Sequence, residues 1–184
     1  GMDKLGLPIL HAWGMTEMSP LGTVSNLSSQ HAHLSAEEKW DIKAKQGYPL
    51  CGVEMRIMDE LGKELPWDGN RMGELQVRGP WITGSYYCNR DESKFDNGWL
   101  RTGDVGRIDP FGYVTLTDRA KDVIKSGGEW ISSIDFENIA VAHPAVMEAG
   151  VIGVAHPKWD ERPLLIVVKK KDAEVTKEEL LAFF

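Results

Sequence analysis

The run Trp13-Gly14-Met15-Thr16-Glu17 sets an aromatic ring, a hydroxyl and a carboxylate around one glycine. A hydroxyl beside a carboxylate suits phosphate oxygens and a magnesium ion, which prefers oxygen ligands and keeps phosphates in its shell. The same residues also read as a helix start, with Thr16 as cap and Ser19-Pro20 as the next breaker, and with Trp13 as a core aromatic. A second carboxylate, Asp104, follows Thr102-Gly103, where glycine lets the backbone turn tightly and project the side chain from a strand end. Asp118 to Lys125 then carries three cations, Arg119, Lys121 and Lys125, in an otherwise acidic chain. Directly after them, Ser126-Gly127-Gly128-Glu129-Trp130 fits a two-residue hairpin turn that needs positive φ. Taken alone, Asp104 and Arg119 read as a surface pair and Gly127-Gly128 as a plain turn.

The elements that must position these groups follow from periodicity. Leu7 to Trp13 is a short apolar segment that predicts a strand delivering Gly14 to Glu17 to its end. Residues 22 to 47 are polar and read as a surface excursion, with a helix opened by the capping box Ser35/Glu38. From Tyr48 to Gly84 short strands alternate with glycine turns: Val53 to Met58, a turn at Glu60 to Glu64, and Gly73 to Gly79. Gly84-Ser85-Tyr86-Tyr87 closes this part with two aromatics that suggest packing. Asp109-Pro110-Phe111-Gly112 is a turn, and Tyr113 to Thr117 alternates as a returning strand.

Beyond it, Ser132 with Asp135 opens a helix that His143-Pro144 stops. Val146 to Val154 and Leu164 to Val168 predict strands joined by a loop over 155 to 163, and Thr176/Glu179 caps a last short helix that needs docking to be stable. A composition break near Thr117-Asp118 separates the two parts. The predicted fold class is α+β: an antiparallel β-barrel-like subdomain followed by a small, truncated α+β domain.

Composition narrows the function classes. A net charge of -7 over 184 residues argues against broad electrostatic binding to nucleic acid or anionic membrane, while an anionic small ligand can still meet the local cations. Cys51 and Cys88 are isolated and predict small buried thiols in a reducing cytoplasm, not a zinc site or a disulfide framework. His31 and His33 have no third ligand at metal spacing. No apolar run approaches the ~18 residues that span a bilayer, and no signal peptide is apparent. The Gly1-Met2 start and the stop at Phe184, inside a helical pattern, predict a piece of a longer protein.

Four motifs in order, Trp13-Gly14-Met15-Thr16-Glu17, Gly73-Glu74-Leu75-Gln76-Val77-Arg78-Gly79-Pro80, Thr102-Gly103-Asp104 and Arg119-Ala120-Lys121-Asp122 through Gly127-Gly128-Glu129, resemble the adenylate-forming acyl-CoA synthetase superfamily. The resemblance implies an enzyme that uses ATP and Mg²⁺ to turn a small-molecule carboxylic acid into an acyl-adenylate, then passes the acyl group to coenzyme A. It implies that residues 1–118 end the large adenylation domain and that 119–184 begin the mobile C-terminal domain. On the nucleotide side, Trp13 would stack on adenine where the family usually has tyrosine, with Gly14 and Met15 beside it. Thr16 would contact phosphate and Glu17 the magnesium. Asp104 and Arg119 would bind the ribose, and Leu116 would pack near the adenine.

Lys121 matches the family's hinge. On the thiol side, Gly127, Gly128, Glu129 and Trp130 would line the CoA channel, with Lys125 near the acyl-adenylate. Lys169-Lys170-Lys171 reads as a solvated strand end, with CoA phosphates as the other candidate.

The departures from the family are equally specific. Asp118 replaces a glycine before the arginine, which implies altered backbone geometry there; no glycine- and serine/threonine-rich phosphate loop is present, and the family's catalytic lysine would lie beyond Phe184. These imply that the piece alone cannot adenylate. The run Gly128-Glu129-Trp130-Ile131-Ser132-Ser133 is similar to medium- and long-chain fatty acid ligases. The competing expectations are an aryl or short-chain acid ligase, a non-catalytic nucleotide- or CoA-binding module, and an unrelated β-rich domain.

Overall fold

The computed structural model describes residues 5–7, 9–88, 91–171 and 173–184. The chain divides into two compact units, Gly1–Leu116 and Thr117–Phe184.

The first unit opens with a three-stranded antiparallel sheet of β1 (Ala12–Gly14), β2 (Leu21–Val24) and β3 (Tyr48–Pro49). Among the described residues of the strand expected over Leu7 to Trp13, only its end, Ala12 and Trp13, joins β1 and finds ladder partners on β2. Helix α1 (Ala36–Ala44) carries the expected capping box, with Glu38 N–H on the Ser35 hydroxyl and Ser35 N–H on the Glu38 carboxylate. The segment from 22 to 47 is not only a surface excursion. Thr23, Ser25 and His31 are buried within it, and His31 packs edge-on against Phe111 and Tyr113.

A larger mixed-length sheet follows, curled as a half-barrel. It runs β5 (Glu64–Leu65), β4 (Glu54–Met58), β6 (Gly73–Arg78), β8 (Trp99–Ile108), β7 (Phe95–Asp96), with β9 (Val114–Arg119) also paired to β8. Alternation drives its core: Met55, Ile57, Leu75, Val77, Leu100 and Ile108 turn inward and meet Trp13 from β1 and Met18 from the turn that follows it. Cys51 and Cys88, expected in a core, are both exposed. Cys51 falls in a turn just before β4, where Val53 is the residue that points inward.

The second unit is a four-stranded antiparallel sheet in the order β11 (Glu129–Ile131), β10 (Ile124–Ser126), β13 (Asp160–Lys169), β12 (Val146–His156). Helix α2 (Ser133–Ala142) packs against β12, and Glu137 accepts a hydrogen bond from Val151 N–H at 2.9 Å. The loop expected over 155 to 163 is mostly strand. Ala155 and His156 pair with Glu161 and Asp160, leaving only Pro157 to Trp159 as the turn. Helix α3 (Lys177–Phe183) has the expected capping box and is docked through Phe183 on His143 and Phe184 on Phe136, ring centroids 5.0 and 5.5 Å apart. The resulting α+β chain of mostly antiparallel sheets is the predicted fold class.

Candidate functional site

The ladder between β6 and β8 breaks where Asp104 sits. Gln76 pairs with Arg101 and Glu74 with Val105, so one residue of β6, Leu75, faces three of β8, Thr102, Gly103 and Asp104. Such a bulge bends a strand and re-aims a side chain. Gly103 takes φ +72°, which an L side chain rarely adopts. The buried Thr102 hydroxyl repairs the ladder, donating to Leu75 C=O at 2.8 Å and accepting from Asp104 N–H at 3.1 Å. So supported, Asp104 turns inward, and its Oδ2 accepts a hydrogen bond from the Trp13 indole N–H at 2.8 Å.

Trp13 is held just as firmly. Its strand pairs Trp13 with Thr23, and the β1–β2 register shifts at Gly14. A Cβ on Gly14 would fall 2.0 Å from Pro20 C=O, so no other residue fits there without moving the chain. Trp13 itself is 7% exposed and belongs to the core of this unit, as one of the two readings expected.

Two residues further on, Thr16 to Met18 form a single 3-10 turn. Its cap position is Met15, without a side-chain cap, so Thr16 does not serve as the cap. Glu17 instead accepts a hydrogen bond from the Tyr86 hydroxyl at 2.7 Å, and its backbone C=O accepts from Thr83 N–H. That carboxylate, and then burial, push the Tyr86 phenol up to about 12. An open cleft of about 460 Å³ runs past these groups, lined among others by Thr16, Glu17, Ser19, Trp81 and Tyr86. Tyr86, read from the sequence as packing, is therefore a polar partner of a candidate site residue, while Tyr87 beside it is 96% exposed at the edge of the cleft. No local signal separated the two tyrosines, because the partner of Tyr86 lies 69 residues away.

The remaining residues divide between the units. Leu116, in the first, is half-buried against the core and donates its N–H to Gln46 at 2.8 Å. In the second, exposed Lys121 lies in a turn closed by Asp122 N–H and Val123 N–H on Arg119 C=O. Lys125 and Trp130 face each other across the β10–β11 hairpin, with the ammonium 5.6 Å from the ring centroid, and Ser126 pairs with Glu129. Gly127 and Gly128 form its turn with φ of +62° and +85°, as the hairpin reading requires. Gly127 also donates to Trp159 C=O, and a Cβ there would come 2.8 Å from the Trp159 ring.

Asp118, the departure before Arg119, is buried and accepts bonds from Ser133 N–H at 3.0 Å and the Ser133 hydroxyl at 2.7 Å. A carboxylate at the start of α2 meets unpaired N–H groups and the positive end of the helix dipole. Its local role is thus to bind the first turn of that helix, within the second unit.

Among the described residues no group of three histidine, cysteine or acidic side chains gathers as a metal site. A single carboxylate beside a threonine hydroxyl still fits Mg²⁺, which binds through one or two carboxylates together with phosphates and water.

Two family models match the chain: AMP-binding enzyme over residues 2–87 and AMP-binding enzyme C-terminal domain over 135–184. The chain belongs to the AMP-binding enzyme family. Among its relatives, the 3-methylmercaptopropionyl-CoA ligase of Ruegeria lacuscaerulensis is 52% identical over 99% of this chain and 34% of its own length. The medium-chain-fatty-acid–CoA ligase of Ectopseudomonas oleovorans is 47% identical over 99% of this chain and 33% of its own. Among solved structures of the family, o-succinylbenzoate CoA synthetase from Bacillus subtilis, in complex with its acyl-adenylate intermediate, superposes with a TM-score of 0.74. It is 34% identical over 99% of this chain and 35% of its own. The chain thus spans about a third of the length of the relatives it matches. No helix among the described residues is long and apolar enough to cross a membrane.

Proposed function

We propose that the chain is the later part of an ATP-dependent acid–CoA ligase, with residues 1–118 ending its adenylation domain and 119–184 belonging to its mobile C-terminal domain. The hydrogen bond from Trp13 to Asp104 carries this reading, because it ties two motifs together across 91 residues. An indole-held carboxylate offers the acceptor that the sugar hydroxyls of an adenosine need, with the edge of the buried Trp13 ring proposed to lie beside the base. Arg119 would donate to the same sugar, with Leu116 near the base and Gly14 and Met15 framing the pocket. Thr16 would bind phosphate and Glu17 the magnesium, which supplies charge neutralisation at the phosphates.

In the second unit Lys121 is proposed as the hinge. Gly127, Gly128, Glu129 and Trp130 are proposed to meet coenzyme A, with Lys125 near the acyl-adenylate. The parent would join a carboxylate to ATP, releasing pyrophosphate, and then transfer the acyl group from AMP to the CoA thiol. The exposed thiols of Cys51 and Cys88 fit a reducing cytoplasm.

The substrate is proposed to be an aliphatic acid. Relatives named for 3-methylmercaptopropionate, medium-chain and long-chain fatty acids are 46–52% identical, against 36% for those named for trans-cinnamate and benzoate. Medium- to long-chain fatty acid is the first reading; a short thioether acid is the second, favoured by the 52% relatives.

Acid-dependent exchange of pyrophosphate into ATP tests both levels. The complete parent should exchange with aliphatic acids, Asp104→Ala should weaken its ATP dependence, and the 184-residue chain alone should not exchange at all. An inert parent would refute the ligase, and preferred exchange with aromatic acids would refute the substrate class.

A further inference from the structure

Asp104 is a carboxylate that is 8% exposed, and a buried charge needs a donor that fixes it. Among the described residues, the donor shown on its Oδ2 is the indole of Trp13. An indole N–H is donor-only, so it cannot turn about to accept from the carboxylate.

The ring carrying that N–H has little freedom. It packs against Gly22, where a Cβ would come within 3.2 Å of Cε3 and Cζ3, and beside the fully buried Met18. Its own backbone is pinned by the register break and close approach at Gly14. The carboxylate is pinned from the other side by Gly103 and the Thr102 hydroxyl. A rigid donor therefore meets a rigid acceptor at 2.8 Å, the arrangement that holds a binding group in one orientation before its ligand arrives.

We propose that Trp13 is a positioning residue for sugar recognition: its indole N–H sets the orientation in which Asp104 meets the ribose hydroxyls. The inference rests on the nucleotide reading of Asp104 and adds to it a role for the nitrogen edge of Trp13, separate from any contact of its ring face. It gives the tryptophan a consequence that tyrosine and phenylalanine do not share, since neither carries a donor at the indole position.

Calorimetric binding of AMP and 2′-deoxy-AMP to the parent protein tests it. Trp13→Phe keeps an aromatic ring but removes the donor together with part of the buried ring volume, a loss that weakens both ligands alike and so leaves their ratio to report the donor. Wild type should prefer AMP by about tenfold, the scale of one hydrogen bond to a charged group. Trp13→Phe should bring the two ligands within about twofold of each other, chiefly by weakening AMP. Its preference for AMP over GMP, which reports the base, should remain. Asp104→Asn should also lose the sugar preference, and adding Trp13→Phe to it should change little further.

Equal weakening of AMP and 2′-deoxy-AMP by Trp13→Phe would overturn the proposal and leave Trp13 a stacking or structural residue. Failure of wild type to bind AMP would instead overturn the nucleotide reading beneath it. Should Trp13→Phe not fold, the wild-type indole N–H resonance of Trp13 decides. It should shift further with AMP than with 2′-deoxy-AMP, and identical shifts would refute the role.

Discussion

At the scale of single residues, the candidate site is built from pairs in which one member has no sequence signature. Glu17 stands in a motif, whereas its partner Tyr86 stands in a run that reads as packing. Tyr86→Phe keeps the ring against Phe95, 5.9 Å away between centroids, and removes only the hydroxyl that orients Glu17. In the parent, the Mg²⁺ needed for half-maximal pyrophosphate exchange should rise about fivefold, corresponding to ~1 kcal/mol for one half-buried hydrogen bond. The CoA dependence of the second half-reaction should not move. A matching change in both would point to general loss of structure. Asp118 teaches the same lesson in the second unit: as a departure from the family pattern it signalled altered backbone, yet its carboxylate binds the first turn of α2.

At the scale of elements, helices and turns were legible and strand ends were not. Both capping boxes, the glycine hairpin and the turn at Asp109 to Gly112 formed where their residue types predicted, because each is closed by bonds within a few residues. The bulge in β8 was not legible, because it depends on the register against β6, 27 residues earlier. Its keystone is Thr102. Thr102→Val keeps the shape but leaves Leu75 C=O without its donor and Asp104 N–H without its acceptor, and should cost about 1–3 kcal/mol in urea unfolding of the chain.

The capping box of α1 also makes a prediction in pH. The Ser35 hydroxyl, and then its backbone N–H, hold the Glu38 carboxyl below its ordinary 4.5. A lowered folded value stabilises above the unfolded value and fades as pH falls through the folded one. The amide resonances of Glu37 and Glu38 should therefore report fraying of α1 as pH drops below 4.5, and Ser35→Ala should abolish that step.

At the scale of the whole molecule, the second unit leaves one face of its long hairpin open. Ile152 lies opposite Leu164, and Ile166 and Val168 continue the same face through Gly150 and Glu148; these four apolar side chains are 45–52% exposed. The other face carries buried Val151, on the strand where α2 packs. An apolar patch of this kind marks a contact surface. The 184-residue chain should therefore bind a hydrophobic dye and self-associate at high salt, and Ile166→Lys should reduce both in sedimentation and fluorescence measurements.

The first unit is self-sufficient in another sense. The three residues of β8 that face Leu75 are two more than a regular ladder needs, and two is an even number. Leu100, Thr102, Asp104 and Ile108 accordingly keep alternate, buried positions, with Val105 between them buried as well. Deleting Thr102 and Gly103 together would close the ladder into regular pairing, whereas deleting one would leave an ordinary bulge of two residues against Leu75. Circular dichroism should find both shortened sheets folded, with AMP binding weakened in each because the bulge that aims Asp104 has changed. The bulge around Asp104 is thus an insert that the sheet can lose, so that on the proposed nucleotide reading binding chemistry and scaffold can change independently along the same strand.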